Sequence, residues 1–175
     1  TDMDGTLLRD DKSFNEEIFD VIESLYKKDV VFVVASGRQY PSLERVFEPV
    51  KDKIIFLAEN GTLVIKNNEE LYSSVMEKNV VKKLISEIRK VPDVKPVLSC
   101  KNYSYTEDSF VCSFLGGEIF KYEMRYIDDI LKVDEDVLKV AIMDKGDVYK
   151  NSFNIVYPMF KDSLDVAVSG HNFID

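Results

Sequence analysis

Asp2-Met3-Asp4-Gly5-Thr6 sets two carboxylates two residues apart, ahead of a glycine and a hydroxyl. On an extended backbone, side chains at i and i+2 leave the same face, so Asp2 and Asp4 can act on one small volume. One carboxylate of such a pair can attack phosphorus and bind a divalent cation. The other can give a proton to the departing oxygen and later take one from water. Gly5 lets the backbone turn sharply away, and Thr6 can tie that turn with its hydroxyl. A carboxylate approaches a dianionic phosphate poorly by itself, and a bridging magnesium ion would remove the repulsion. The paired acids therefore imply a metal ion, Mg2+. A calcium loop also opens D-x-D, but it needs glycine at its sixth position and glutamate at its twelfth. Leu7 and Ser13 stand there instead.

These residues need elements to position them. Ser13 with Glu16 forms a capping box, and Ile18, Val21, Ile22 and Leu25 follow at helical spacing, which predicts a helix from about Phe14 to Lys28. Val30–Ala35 is a β-branched and apolar run, the pattern of a strand buried on both faces. Ser36-Gly37-Arg38 ends it, and Pro41 opens a short helix. Ile54–Ala58 is a second buried strand, closed by Glu59-Asn60-Gly61, with a hairpin-like Thr62–Ile65 beyond. Strands alternating with helices over short connections indicate a Rossmann-like parallel sheet covered by helices, an α/β fold. Ligands of such sheets sit outside the carboxyl ends of the strands, where the three polar turns at 2–6, 36–38 and 59–61 all fall. Ser36 and the Gly37 amide can there hydrogen-bond phosphoryl oxygens. Arg38 can guide an anionic substrate or pair with a neighbouring carboxylate. Asn60 is placed at the same edge, although turn chemistry alone accounts for Asn-Gly.

The texture changes after Leu71. A helix with Val80, Val81, Leu84, Ile85 and Ile88 follows a candidate cap at Asn79. Strand-like pieces come next at Val97–Cys100, Tyr103–Thr106, Tyr122–Ile127 and Leu138–Met143. A helix is expected near Val148–Phe160, ended early by Pro158, and Leu164–Ser169 alternates like a strand. This is the pattern of an α+β module inserted into the first. The expected organisation is residues 1–77 as the first part of the core, 78–170 as the inserted module, and 171–175 as the return to the core. The chain runs straight into its candidate motif without an initiator methionine and stops just after an apolar alternation. It is expected to be a portion of a longer protein, truncated at both ends.

Acidic residues outnumber basic ones by 32 to 23, a net charge of −9 over 175 residues, which argues against a general affinity for nucleic acid. A small phosphorylated metabolite needs only local positive charge or a metal. No apolar run approaches the roughly 18 residues of a membrane span. Cys100 and Cys112 match no metal spacing and read as thiols of a reducing compartment, the cytoplasm by default. The expected assembly is a monomer or weak homodimer.

Asp2-Met3-Asp4-Gly5-Thr6-Leu7-Leu8, Val34-Ala35-Ser36-Gly37-Arg38, Glu59-Asn60-Gly61 and the late Ser169–Asp175 resemble the Cof-type branch of the haloacid dehalogenase superfamily of phosphatases. The resemblance covers nearly the whole chain. It implies that Asp2 is the nucleophile and a magnesium ligand, and that Asp4 is the general acid/base and binds magnesium through its carbonyl. It further implies that Ser36 and Gly37 hold the phosphate with the Met3 amide. An inserted cap that closes over the site and selects the substrate is also implied. The family needs in addition a phosphate-binding lysine and an acidic Gly-Asp-x-x-Asn-Asp segment. Gly146–Asn151 has Lys150 and Asn151 where Asn and Asp belong, so it is rejected, and both elements are expected beyond Asp175. The expected activity is hydrolysis of a small phosphorylated metabolite, a sugar phosphate, through an aspartyl-phosphate. The alternatives are a phosphomutase of the same superfamily, or a non-catalytic binding domain if the chain naturally ends at 175.

Overall fold

The computed structural model describes residues 1–9, 13 and 15–175. Contacts divide the chain into two compact units, one of Thr1–Ser74 with Gly117–Glu123 and one of Val75–Gly116 with Met124–Asp175.

In the first unit, strands β1 (Phe32–Ala35), β2 (Ile54–Ala58), β3 (Leu63–Lys66) and β4 (Glu69–Ser73) form one sheet in that order. β1 and β2 run parallel, with Phe32 opposite Ile54 and Ala35 opposite Leu57. β2, β3 and β4 continue as an antiparallel meander. On the other side of β1, Asp2 bridges Ala35 in parallel, and the Ala35 N–H donates to the Thr1 carbonyl at 2.8 Å. The expected strand at Val30–Ala35 starts two residues late, because Val30 and Val31 lie outside the sheet and are exposed. Helix α1 (Glu17–Tyr26) also begins late. Asn15 Oδ1 accepts the Glu17 N–H at 3.1 Å in place of a Ser13–Glu16 capping box. The expected start at Phe14 lies outside the described residues. Helix α2 (Tyr40–Val46) carries Pro41 in its first turn, where no N–H is required of it. Ile22, Val34, Leu43, Phe47, Ile54, Phe56 and Leu63 are the fully buried heart of this unit. Phe47 stands edge-on to both Phe19 and Phe56 at 6.3 Å, an arrangement aromatic quadrupoles favour.

The second unit contains α3 (Lys78–Ile88), β5 (Val94–Cys100), β6 (Ser104–Thr106), α4 (Ser109–Gly116), β7 (Met124–Tyr126), β8 (Val137–Asp144), α5 (Ser152–Phe160) and β9 (Phe173–Ile174). Its strands form a sheet in the order β7-β6-β5-β8-β9, all antiparallel except β6 with β7. Val81, Leu84, Ile85 and Ile88 of α3 pack on Leu98, Val140, Ile142, Val156 and Phe160.

Several elements differ from expectation. β5 runs through Pro96: its carbonyl accepts from Thr106 Oγ1 at 3.0 Å, and the ladder with β6 begins only at Val97, so no ladder bond is asked of the proline nitrogen. Pro158 lies inside α5 rather than ending it, since Val156 and Phe160 anchor the last turn on the core. α4 escaped notice in the sequence; Asp108 Oδ1 caps it by accepting the Val111 N–H at 3.0 Å. Residues 164–169 make only the bridge Val168–Ile174, around a turn at Gly170 with φ +102°. Residues 171–175, expected to return to the core, pair instead with β8 in the second unit's sheet. Gly146–Asn151 forms the turn between β8 and α5. Cys100 and Cys112 are not joined in a disulfide. Among the described residues no helix is long and apolar enough to cross a membrane.

Candidate active site

The Asp2–Leu8 segment is built by alternation and a turn. Met3 is fully buried while Asp2 and Asp4 on either side are exposed, so both carboxylates leave the core on the same face. The Met3 carbonyl then accepts the N–H groups of Thr6, Leu7 and Leu8 at 3.4, 3.1 and 2.8 Å. Backbone donors close this turn, and buried Leu8 anchors its far end. Gly5 sits at φ +82°, a left-handed conformation that a side chain would strain.

The bridge between Asp2 and Ala35 lays the first carboxylate beside the Ser36–Arg38 loop. That loop is tied down from the next strand. Ser36 N–H donates to Leu57 O at 2.9 Å, Asn60 N–H to Ser36 O at 3.2 Å, and Glu59 N–H to Arg38 O at 3.1 Å. Ser36 Oγ accepts the Arg38 N–H at 3.2 Å, which leaves its own hydrogen to donate. Glu59 and Asn60 hold φ of 49° and 58°, and Gly61 follows at 91°. Two non-glycine residues in succession at positive φ are strained backbone that the surrounding bonds must hold. A Cβ on Gly37 would lie 2.3 Å from Asn60 Oδ1, so any side chain there would have to displace Asn60. Asn60, expected as a phosphate ligand, thus stands against Gly37 and braces the Ser36–Arg38 loop. The turns at Asp2, Ser36 and Glu59 meet at one end of the sheet.

Of the two roles open to Arg38, guiding an anionic substrate or pairing with a neighbouring carboxylate, the structure shows the pairing. Arg38 is 6% exposed and forks onto Asp4, Nε to Oδ2 and Nη2 to Oδ1, each at 2.9 Å. A buried guanidinium needs a carboxylate, and the planar fork fixes that carboxylate's orientation. Beside this loop, burial and then the Glu44 carboxylate push the Tyr40 hydroxyl far above the ordinary tyrosine value, so it remains a donor.

Among the described residues no cluster of three or more His, Cys, Asp or Glu side chains forms a metal centre. The oxygens at hand are the exposed Asp2 carboxylate and the Asp4 carbonyl. Both are hard donors, and one or two such groups completed by water and substrate phosphate suit magnesium.

The sequence reading missed Gln39, Ser42 and Arg45. Spaced three apart along α2, they grip residues 117–123, which join the first unit.

The profile of the haloacid dehalogenase-like hydrolase family matches residues 1–175. The chain belongs to that family. This haloacid dehalogenase-like chain is 24% identical over 176 residues to 5-amino-6-(5-phospho-D-ribitylamino)uracil phosphatase YbjI of Escherichia coli (strain K12), covering 99% of itself and 65% of that protein. A solved structure from Eubacterium rectale superposes with a TM-score of 0.85 at 27% identity, over 99% of this chain and 67% of the other. The HAD subclass IIB sugar phosphatase BT4131 shares the fold, with a TM-score of 0.77 at 14% identity over 99% and 66% of the two chains. The haloacid dehalogenase-like chain spans less than two thirds of the length of the curated relatives it matches.

Proposed function

We propose that the full-length protein is a magnesium-dependent phosphatase that transfers the phosphoryl group of a small phosphorylated metabolite to Asp2 and then to water. The observation that carries this reading is the pair of exposed carboxylates flanking buried Met3, with Asp2 laid against the Ser36–Gly37 loop. In the first half, an Asp2 oxygen bonds to phosphorus while the bond to the leaving oxygen breaks, and Asp4 supplies that oxygen's proton. In the second, Asp4 takes a proton from water, the water oxygen bonds to phosphorus, and the aspartyl bond breaks to release phosphate. The fork from Arg38 matches the ionised Asp4 needed in the second half. Donation in the first half needs the same carboxyl protonated, and the two-point pair then opens. Ser36 Oγ and the Gly37 N–H hold phosphoryl oxygens as charge redistributes. Magnesium, held by the Asp2 carboxylate and the Asp4 carbonyl, would offset the repulsion between carboxylate and phosphate.

The substrate class proposed is a sugar or sugar-alcohol phosphate. The activities named for the relatives, on a phosphoribitylamino compound and on sugar phosphates, both support a phosphomonoester on a polyhydroxylated chain.

Phosphate release by the full-length protein from a panel of such esters, with and without magnesium, tests the reading. Asp2→Asn is expected to abolish release while circular dichroism stays unchanged. Undiminished turnover in that variant removes Asp2 as nucleophile. An isomeric sugar phosphate in place of inorganic phosphate makes the protein a mutase.

A further inference from the structure

Residues 117–123 are gripped by a row of polar side chains on α2. Gln39, fully buried at the helix N-cap, accepts the Glu123 N–H on Oε1 at 2.7 Å. Ser42, 2% exposed, donates its hydroxyl hydrogen to the Phe120 carbonyl. Arg45 donates to the Lys121 carbonyl and pairs with the Glu123 carboxylate. Three-residue spacing puts these groups on one helix face. Lys121 is held at φ +53°, and its N–H donates to Gly117 O at 2.8 Å. A lysine in left-handed backbone persists only where neighbouring bonds hold it, and a buried glutamine and serine call for polar partners. The grip and the strap therefore require each other.

The strap carries Phe120 to 5.9 Å from the Arg38 guanidinium carbon, within cation–π range, with Tyr122 edge-on to it at 5.9 Å. Arg38 in turn forks Asp4. A continuous line of contacts thus runs from the strap to the carboxyl that must meet the leaving oxygen. Ser36 meets that line at the Arg38 backbone, whose N–H its Oγ accepts, rather than at the guanidinium.

We propose that Gln39, Ser42 and Arg45 are positioning residues that act through the 117–123 strap, setting Phe120 and Arg38 on the leaving-group side of the reaction. The proposal rests on the phosphatase reading above. It predicts a split by substrate. Acetate leaves acetyl phosphate without needing a proton or a shaped pocket, whereas a sugar alkoxide needs both.

The test uses the full-length protein as wild type, Arg45→Glu, and the charge exchange Arg45→Glu with Glu123→Arg. Amide hydrogen exchange in residues 117–123 is expected to quicken about ten-fold in Arg45→Glu and to slow again in the exchange variant. Unchanged exchange in Arg45→Glu overturns the clasp without reference to activity. For kcat/KM, Arg45→Glu is expected to lose about ten-fold on glucose 6-phosphate and ribitol 5-phosphate while acetyl phosphate stays within about two-fold, and the exchange variant restores the first pair. Equal losses on all three substrates, or no loss on any, overturn the positioning role. A wild type that releases phosphate from none of them removes the phosphatase reading and the positioning role with it, while the exchange data still decide the clasp.

Discussion

At the scale of residues, the Ser36–Arg38 loop is a matter of fit between Gly37 and Asn60. The Cβ of an alanine at 37 would collide with Asn60 Oδ1, the far end of an exposed side chain that can rotate away. Gly37→Ala should therefore change stability by less than about 1 kcal/mol yet displace the brace, lowering kcat/KM about ten-fold. Asn60→Ala removes the brace outright, so the double variant should lose no more than Asn60→Ala alone. Steady-state kinetics and thermal melts on the single and double variants check this, and strictly additive losses would refute it. The meeting of Asp2 with the Ser36–Gly37 turn was legible in the sequence because both stand at strand ends that a parallel sheet brings together. Arg38 was not, because a guanidinium suits a substrate phosphate and a neighbouring carboxylate equally well until burial selects one.

At the scale of elements, the junction of β8 and α5 depends on Asp144. This fully buried carboxylate accepts the N–H groups of Gly146 at 2.8 Å and Ser152 at 3.1 Å, the Asn151 amide at 3.2 Å, and the Ser152 hydroxyl. Burial by itself pushes its carboxyl up, but the hydrogen bonds from Ser152, Gly146 and Asn151 outweigh it and hold the value below the ordinary carboxylate range. The folded group thus titrates below its unfolded value of about 3.9. Its stabilisation is fully present above that pH and fades as pH falls through the folded value. Asp144→Asn should cost about 1–3 kcal/mol at neutral pH and flatten the acid limb of the stability profile, as followed by urea titration at a series of pH values. An unaltered acid limb would assign the loss to other carboxylates. The sequence showed a strand and a helix here, but it misplaced the effect of Pro158. The deciding contacts are Val156 and Phe160 against residues far along the chain.

At the scale of the whole molecule, each unit has to gather its core from distant segments. The second unit's cluster runs from Val81 to Ile174, and fully buried Ile85 lies within it. Ile85→Ala should lower the unfolding free energy of that unit by about 2–5 kcal/mol. Hydrogen exchange under mild denaturant, resolved over residues 75–116 and 124–175, would read the loss, and a change below about 1 kcal/mol would show that Ile85 is not a shared anchor. The acidic surplus acts at this scale too. It would leave selection of the proposed phosphorylated substrate to local groups rather than to the long-range field.

By itself the sequence determined what depends on residue type and short spacing. The paired aspartates around an apolar residue, the apolar runs of β1 and β2, and the family to which the chain belongs all read from neighbouring positions. Tertiary structure decided what depends on meetings across long separations. Thirty-four residues part Asp4 from its Arg38 fork, and eighty-four part Gln39 from the Glu123 amide. Placement of 171–175 against β8, and of 117–123 on α2, is settled in the same way. Local pattern encodes which face of a segment is apolar. It does not encode which distant polar group will satisfy a buried one, because that choice is made only when the chain closes on itself.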